Sequence, residues 1–164
     1  MRKLIAIPAL TALLAAPAVY AEGPMAVPVK KMTLESAQAI AMNTIKACRA
    51  KGIQIGVTVM DRDGIVQAQL RDTVAPPITL PISQGKAYAA TMFRVPSSQL
   101  VDRANTAVGR APGVIMSAGA VPIDVGGEFL GAVGVSGAPG GDIDEACAAE
   151  GLAPVKEELE MSMM

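Results

Sequence analysis

The sequence predicts a single α+β domain: a five-stranded, mainly antiparallel sheet with helices on its faces. Three observations predict it. Apolar residues recur three and four apart over residues 34–48, the spacing of a helix. They alternate on both sides of the turn Asp61-Arg62-Asp63-Gly64, the pattern of a hairpin. The last third then holds three short strand patterns followed by a helix. A chain of 164 residues is long enough for one real core.

The elements follow in order. Thr33 is placed to cap a helix running to about Lys51, with Gly52 as its stop. Leu34, Ala37, Ala41, Ile45 and Cys48 make its apolar stripe, and Lys46, Arg49 and Lys51 suit the negative end of its dipole. Ile53, Ile55, Val57 and Val59 alternate along a first strand. After the turn, Val66, Ala68 and Leu70 alternate with Gln67, Gln69 and Arg71 along a second. The two aspartates of the turn are read as turn residues, with Gly64 free to take positive φ.

A loop over residues 72–77 leads to a helix over residues 79–93, with Pro81 in its first turn and Pro96 beyond its end. Ser97 or Ser98 caps a short helix to about Arg103, and a loop follows to Gly113. Strands are expected over 114–117, 121–125 and 128–136, the last two joined at Gly126-Gly127. A final helix starts near Asp142 or Asp144, carries Ile143 and Cys147 on one face, and passes Pro154 only with a break; the Met-rich end frays.

Ahead of the domain, Met1-Arg2-Lys3, an apolar run from Leu4 to Val19, and small residues at Val19 and Ala21 read as a secretory signal peptide over residues 1–21. Two prolines in the run speak against a membrane anchor. Removing Arg2 and Lys3 takes the basic count from 14 to 12 against 15 acidic residues. The expected location is periplasmic or secreted, with no membrane span after cleavage. Residues 22–31 form an extended lead-in, 32–153 the domain and 154–164 a C-terminal tail.

Composition removes several functions. With no histidine, a Ser-His-Asp triad, a Cys-His dyad, an HExxH zinc site and histidine-ligated haem are all excluded. Four aromatics and a net charge of −1 argue against a nucleic-acid partner. Gly137-Ala-Pro-Gly-Gly141 lacks the Gly-Lys-Ser/Thr ending of a phosphate loop and runs into acids. The methionines read as core and tail, and no metal site is expected.

The residues that carry potential chemistry are few. Ala132, Gly134 and Ser136 give one strand face almost no bulk, so a helix or a flat ligand must approach it closely. Lys86 and Arg94, eight apart, make a basic line that suits a carboxylate ligand or two solvated charges. Cys48 and Cys147, on the apolar faces of the first and last helices, are an even pair for an oxidising compartment. They are expected to bridge if those helices pack side by side, with two buried thiols as the alternative.

Several segments together resemble one family. They are Thr33-Leu-Glu-Ser-Ala37, Ser83-Gln-Gly-Lys-Ala-Tyr-Ala-Ala90, Pro112-Gly113 leading to Gly119-Ala-Val-Pro-Ile123, Gly131-Ala-Val-Gly-Val-Ser-Gly137, and Asp144-Glu-Ala-Cys-Ala148. In this order and spacing they resemble the GlcG/HbpS-like family, the haem-degrading or haem-binding domain family, over about Met32 to Leu152. The resemblance implies a profilin-like layered fold, homo-oligomeric assembly and a link to haem or iron binding, in some members to haem degradation. A related domain accompanies corrinoid adenosyltransferases. Lys86, Gly119, Pro122 and Ser136 fall on the family's motif segments. The chain departs from the pattern in having Gly119-Ala120 where paired glycines are common, and it has no histidine for an axial ligand.

The function expected is thus an exported, oligomeric binding protein for haem or a similar small flat or carboxylate ligand. Lys86, Arg94, Gly119, Pro122 and Ser136 are its candidate contacts, and any haem would be held without histidine. The alternatives are an enzyme acting on a small organic acid or on haem with Lys86 in the site, and an accessory subunit without a ligand.

Overall fold

The computed structural model describes residues 23–163. The expected signal peptide lies outside them. Among the described residues no helix is long and apolar enough to cross a membrane. The elements are α1 (Leu34–Ala50), β1 (Gly56–Asp61), β2 (Val66–Arg71), α2 (Thr79–Phe93), a 3₁₀ segment (Ser97–Arg103), β3 (Ala120–Val125), β4 (Glu128–Ser136) and α3 (Gly141–Met163).

The sheet has four strands in the order β2-β1-β4-β3, every neighbour antiparallel. The fifth strand, expected over residues 114–117, is absent. That apolar run packs on α2 instead. The Ile115 N–H bonds to the Gly85 carbonyl at 3.1 Å, and Val114 and Met116 join Ala89 and Leu100 in a small cluster. A short apolar run buried against a helix has the same pattern as one buried in a sheet, so periodicity does not separate them.

The sheet is covered on both faces. α1 and α3 lie side by side on one, where Ile40, Ala41 and Leu152 meet Val57, Val59, Val133 and Val135. The register sets Val57 beside Val135 and Val59 beside Val133, so alternation along two neighbouring strands makes one continuous apolar surface. Cys48 and Cys147 are fully buried in this layer and joined as a disulfide. α2 covers the other face. A Cβ on Gly134 would strike the Ser83 carbonyl and sit 2.7 Å from the Ala87 nitrogen. The bare strand face at Ala132 and Gly134 therefore receives a helix. A buried hydroxyl pair, Thr58 with Ser83 at 2.8 Å, anchors it further.

Local chemistry explains the ends. The Thr33 hydroxyl accepts the Ser36 N–H at 3.2 Å and starts α1. Asp61 Oδ1 accepts the N–H groups of Asp63 and Ile65 and shapes the hairpin turn. The extended lead-in is tied to that turn by Lys31, and Met32 is buried. The break expected at Pro154 does not occur. α3 is held against α1, where Gly151 sits tight on Thr44 and Leu152 and Val155 are buried, so packing keeps the helix running past the missing N–H.

Arg49 of α1 makes two hydrogen bonds to Asp72 after β2, with Nε to Oδ2 at 2.7 Å. Asp72 also takes the Thr73 N–H at 2.7 Å and is buried. The Arg49 hydrogen bonds hold its carboxyl below the ordinary carboxylate value, against desolvation that pushes it up, with help from the Thr73 N–H and the Arg49 charge. Because the folded value lies below the unfolded one of about 3.9, this contribution is complete above about pH 5. It is lost as the pH falls through the folded value. Urea midpoints measured from pH 6 to pH 2 should fall more steeply for the wild type than for Asp72→Asn, the two curves converging at the acid end. A constant offset between them would contradict the assignment.

Candidate functional site

A cleft of about 530 Å³ opens where the ends of four elements meet. The approach to α2 and its first turns supply Pro76, Ile78, Thr79, Ile82 and Lys86. The loop before β3 supplies Ser117 and Ala118. The end of β4 supplies Ser136, Gly137 and Ala138, the first turn of α3 supplies Gly141 and Asp144, and Val101 closes one side. This volume lies within the range of small-molecule sites. Ile78 and Val101 at the rim are 60% and 48% exposed, which leaves an apolar collar around a polar floor.

The floor is an ion pair. Lys86 Nζ donates to Asp144 Oδ2 at 2.9 Å, and both side chains are more than nine-tenths buried. Asp144 Oδ1 accepts the Ala138 N–H at 2.9 Å, so one carboxylate fixes both the lysine and the loop entering α3. Gly119 stands directly behind the lysine. It has φ of +134°, a region that favours glycine, and a Cβ there would lie 2.6 Å from Lys86 Nζ and 2.9 Å from the Val135 carbonyl oxygen. Bare backbone at this position lets the ammonium reach the sheet.

A second carboxylate braces the surroundings. Glu145 accepts the Ser98 N–H at 3.1 Å, the Ser98 hydroxyl at 2.6 Å and the Gly119 N–H at 3.1 Å. Ser97 Oγ accepts the Ala120 N–H at 2.9 Å. The 3₁₀ segment, the start of β3 and α3 are thereby tied around the floor.

Of the five residues singled out from sequence, Lys86 and Ser136 line the cleft and Gly119 backs it. Pro122 sits on edge strand β3 opposite Ala132, where its missing N–H costs no ladder bond. Arg94 is not brought to Lys86. It follows the end of α2 in the left-handed conformation, with φ of 53°, and its guanidinium stacks over Phe129 at 4.8 Å. The basic line expected along one face of α2 is not formed, because Lys86 turns into the interior and Arg94 lies past the last turn. Asp144 and Glu145 were legible only as acids at a helix start. Their distant partners, 58 residues away for Lys86 and 47 for Ser98, leave no local pattern.

The chain is thus a layered α/β domain with a buried ion pair under an open cleft. Residues 32–153 match the model of the haem degrading protein HbpS-like family, and the chain belongs to that family. Among solved structures it is similar to a double mutant of Streptomyces reticuli HbpS, at 33% identity and a TM-score of 0.75, over 85% of this chain and 97% of that one. It shares its fold with Klebsiella pneumoniae ORFY, at 22% identity and a TM-score of 0.75, over 82% of this chain and 97% of that one. It shares it also with PduOC in a complex with haem, at 15% identity and a TM-score of 0.69, over 76% and 94%. No curated protein matches the chain.

Proposed function

We propose that this protein binds haem or a similar small flat ligand in the cleft above Lys86. The observation that carries the reading is the cleft itself: apolar walls at Ile78, Ile82 and Val101 over a floor of small residues and one buried ion pair. Walls of this kind grip a flat ring by its faces, and the few polar groups below orient it. Family membership supports the haem-type ligand, and the fold is one that PduOC uses in its haem complex. With no histidine in the chain, the haem would be held by packing, by carboxylate pairing or by an axial group other than histidine.

Titrating the purified protein with haemin should give a saturable Soret shift. Lys86→Met, and Ser136→Leu, which fills the cleft from the strand side, should each weaken it at least tenfold. No saturable shift, or unchanged affinity in both variants, would overturn the reading.

The reading includes export and homo-oligomeric assembly. The basic start, apolar run and small residues around Ala21 support export, as does a disulfide of the kind that persists in oxidising compartments. Exposed Ile65 and Val66 at edge strand β2 support contact between copies. Native mass spectrometry of periplasmic protein reports subunit number and bound ligand together. A second reading, an enzyme acting on haem or a small organic acid with Lys86 in the site, draws on the same buried pair at the floor of the cleft.

A further inference from the structure

The floor of the cleft carries its own counter-ion. Lys86 and Asp144 neutralise each other at 2.9 Å, and Lys86 is the only lysine or arginine that lines the cleft among the described residues. Both oxygens of Asp144 are engaged, one by the ammonium and one by the Ala138 N–H. The ammonium has three N–H groups, and Asp144 is its one hydrogen-bond partner among the described residues. Ser136 is 7% exposed and lines the same cleft, and its hydroxyl has no partner among the described residues. The floor therefore has donors to spare and no positive charge to spare.

The helix ends do not change this balance. At the start of α2, the N–H groups of Thr79 and Leu80 bond to the carbonyls of Pro76 and Pro77, and Pro81 has none. The first turn of α3 carries Asp142 besides Asp144, and this second acid offsets its positive end. A carboxylate brought to the floor would add an uncompensated buried charge beside Asp144, which is strongly disfavoured. An uncharged oxygen acceptor would take the open donors at no such cost.

We propose that the floor seats an uncharged carbonyl, of the amide or lactam class, on Lys86 and Ser136, and turns carboxylates out to the mouth. This goes beyond the haem-type reading, since haem has no such carbonyl, and rests on it only in taking the cleft as the ligand site. A flat ligand enters by an uncharged edge, and its charged side chains stay in water.

Benzamide and benzoate have nearly the same flat shape and differ in charge. Each is titrated into ¹⁵N-labelled protein while the amides of Ser136 and Ala138 are followed. Benzamide is expected to shift both in a saturable way, with a Kd at least tenfold below that of benzoate. Asp144→Asn keeps an oxygen for the Ala138 N–H but frees the lysine charge, so the preference should reverse. Equal or tighter binding of benzoate by the wild type overturns the proposal, whether or not Asp144→Asn folds. So does the absence of shifts with either probe. Haemin added to the same sample then separates the two ideas: saturable binding keeps the cleft as a haem-type site, and its absence removes that reading as well.

Discussion

Replacing Cys48 and Cys147 together by alanine should lower stability by about 4–5 kcal/mol in the chain-entropy account of disulfides. The bridge spans a sequence separation of 99, so its loss releases most of the domain in the unfolded state. Both cysteines are fully buried between α1 and α3, and truncation there adds the loss of packing around two sulfurs. For a domain of this size the midpoint of thermal unfolding should drop by about 10–20 °C. Calorimetry of the wild type beside the double variant measures it, and a loss under about 1 kcal/mol would show that the bridge constrains little. The site is part of this result. Cys147 lies one helical turn after Asp144, so the covalent tie fixes the turn that carries the floor of the cleft.

Breaking the Lys86–Asp144 pair should cost about 3–5 kcal/mol for either partner removed alone. Lys86→Met leaves a carboxylate buried without its cation. Asp144→Leu leaves an ammonium in the same position and strands the Ala138 N–H as well, so it should be the more damaging of the two. Removing both charges should cost less than the two losses added together, because neither charge is then left unpaired. Urea unfolding of the four proteins at neutral pH gives the coupling directly. Single variants within about 1 kcal/mol of the wild type would mean that water reaches the pair.

Much of the fold follows from local pattern. Thr33 and the stripe from Ala37 to Cys48 mark α1, alternation marks β1, β2 and β4, and the proline and serine signals bound α2 and the 3₁₀ segment. Each is a short-range rule, since caps, periods and turns involve residues within a few positions of one another. The two departures share one cause. Residues 114–117 and the helix across Pro154 both took their form from what they pack against, α2 in the first case and α1 in the second. Packing between distant segments outweighs local preference when the apolar area is large enough.

The cleft was legible only in pieces. Lys86 and Ser136 stood out for their residue type and for the small-residue face of β4, and the facing of the two cysteines pointed to their bridge. Asp144 as the partner of Lys86 could not be read, because an acid in a first helical turn has a sufficient local reason to be there. Nor could the bare backbone of Gly119 be assigned to the lysine it admits.

The sequence by itself determined the class of fold, most of its elements, the exclusion of histidine chemistry and the residues from which a site could be built. Only the tertiary structure decided that Lys86 belongs to Asp144, that Arg94 turns to Phe129, and that Ser136 opens onto a cleft. The physical reason is range. Helices and strands are specified by neighbours along the chain, whereas a buried charge is satisfied by whatever group the packed layers bring within about 3 Å.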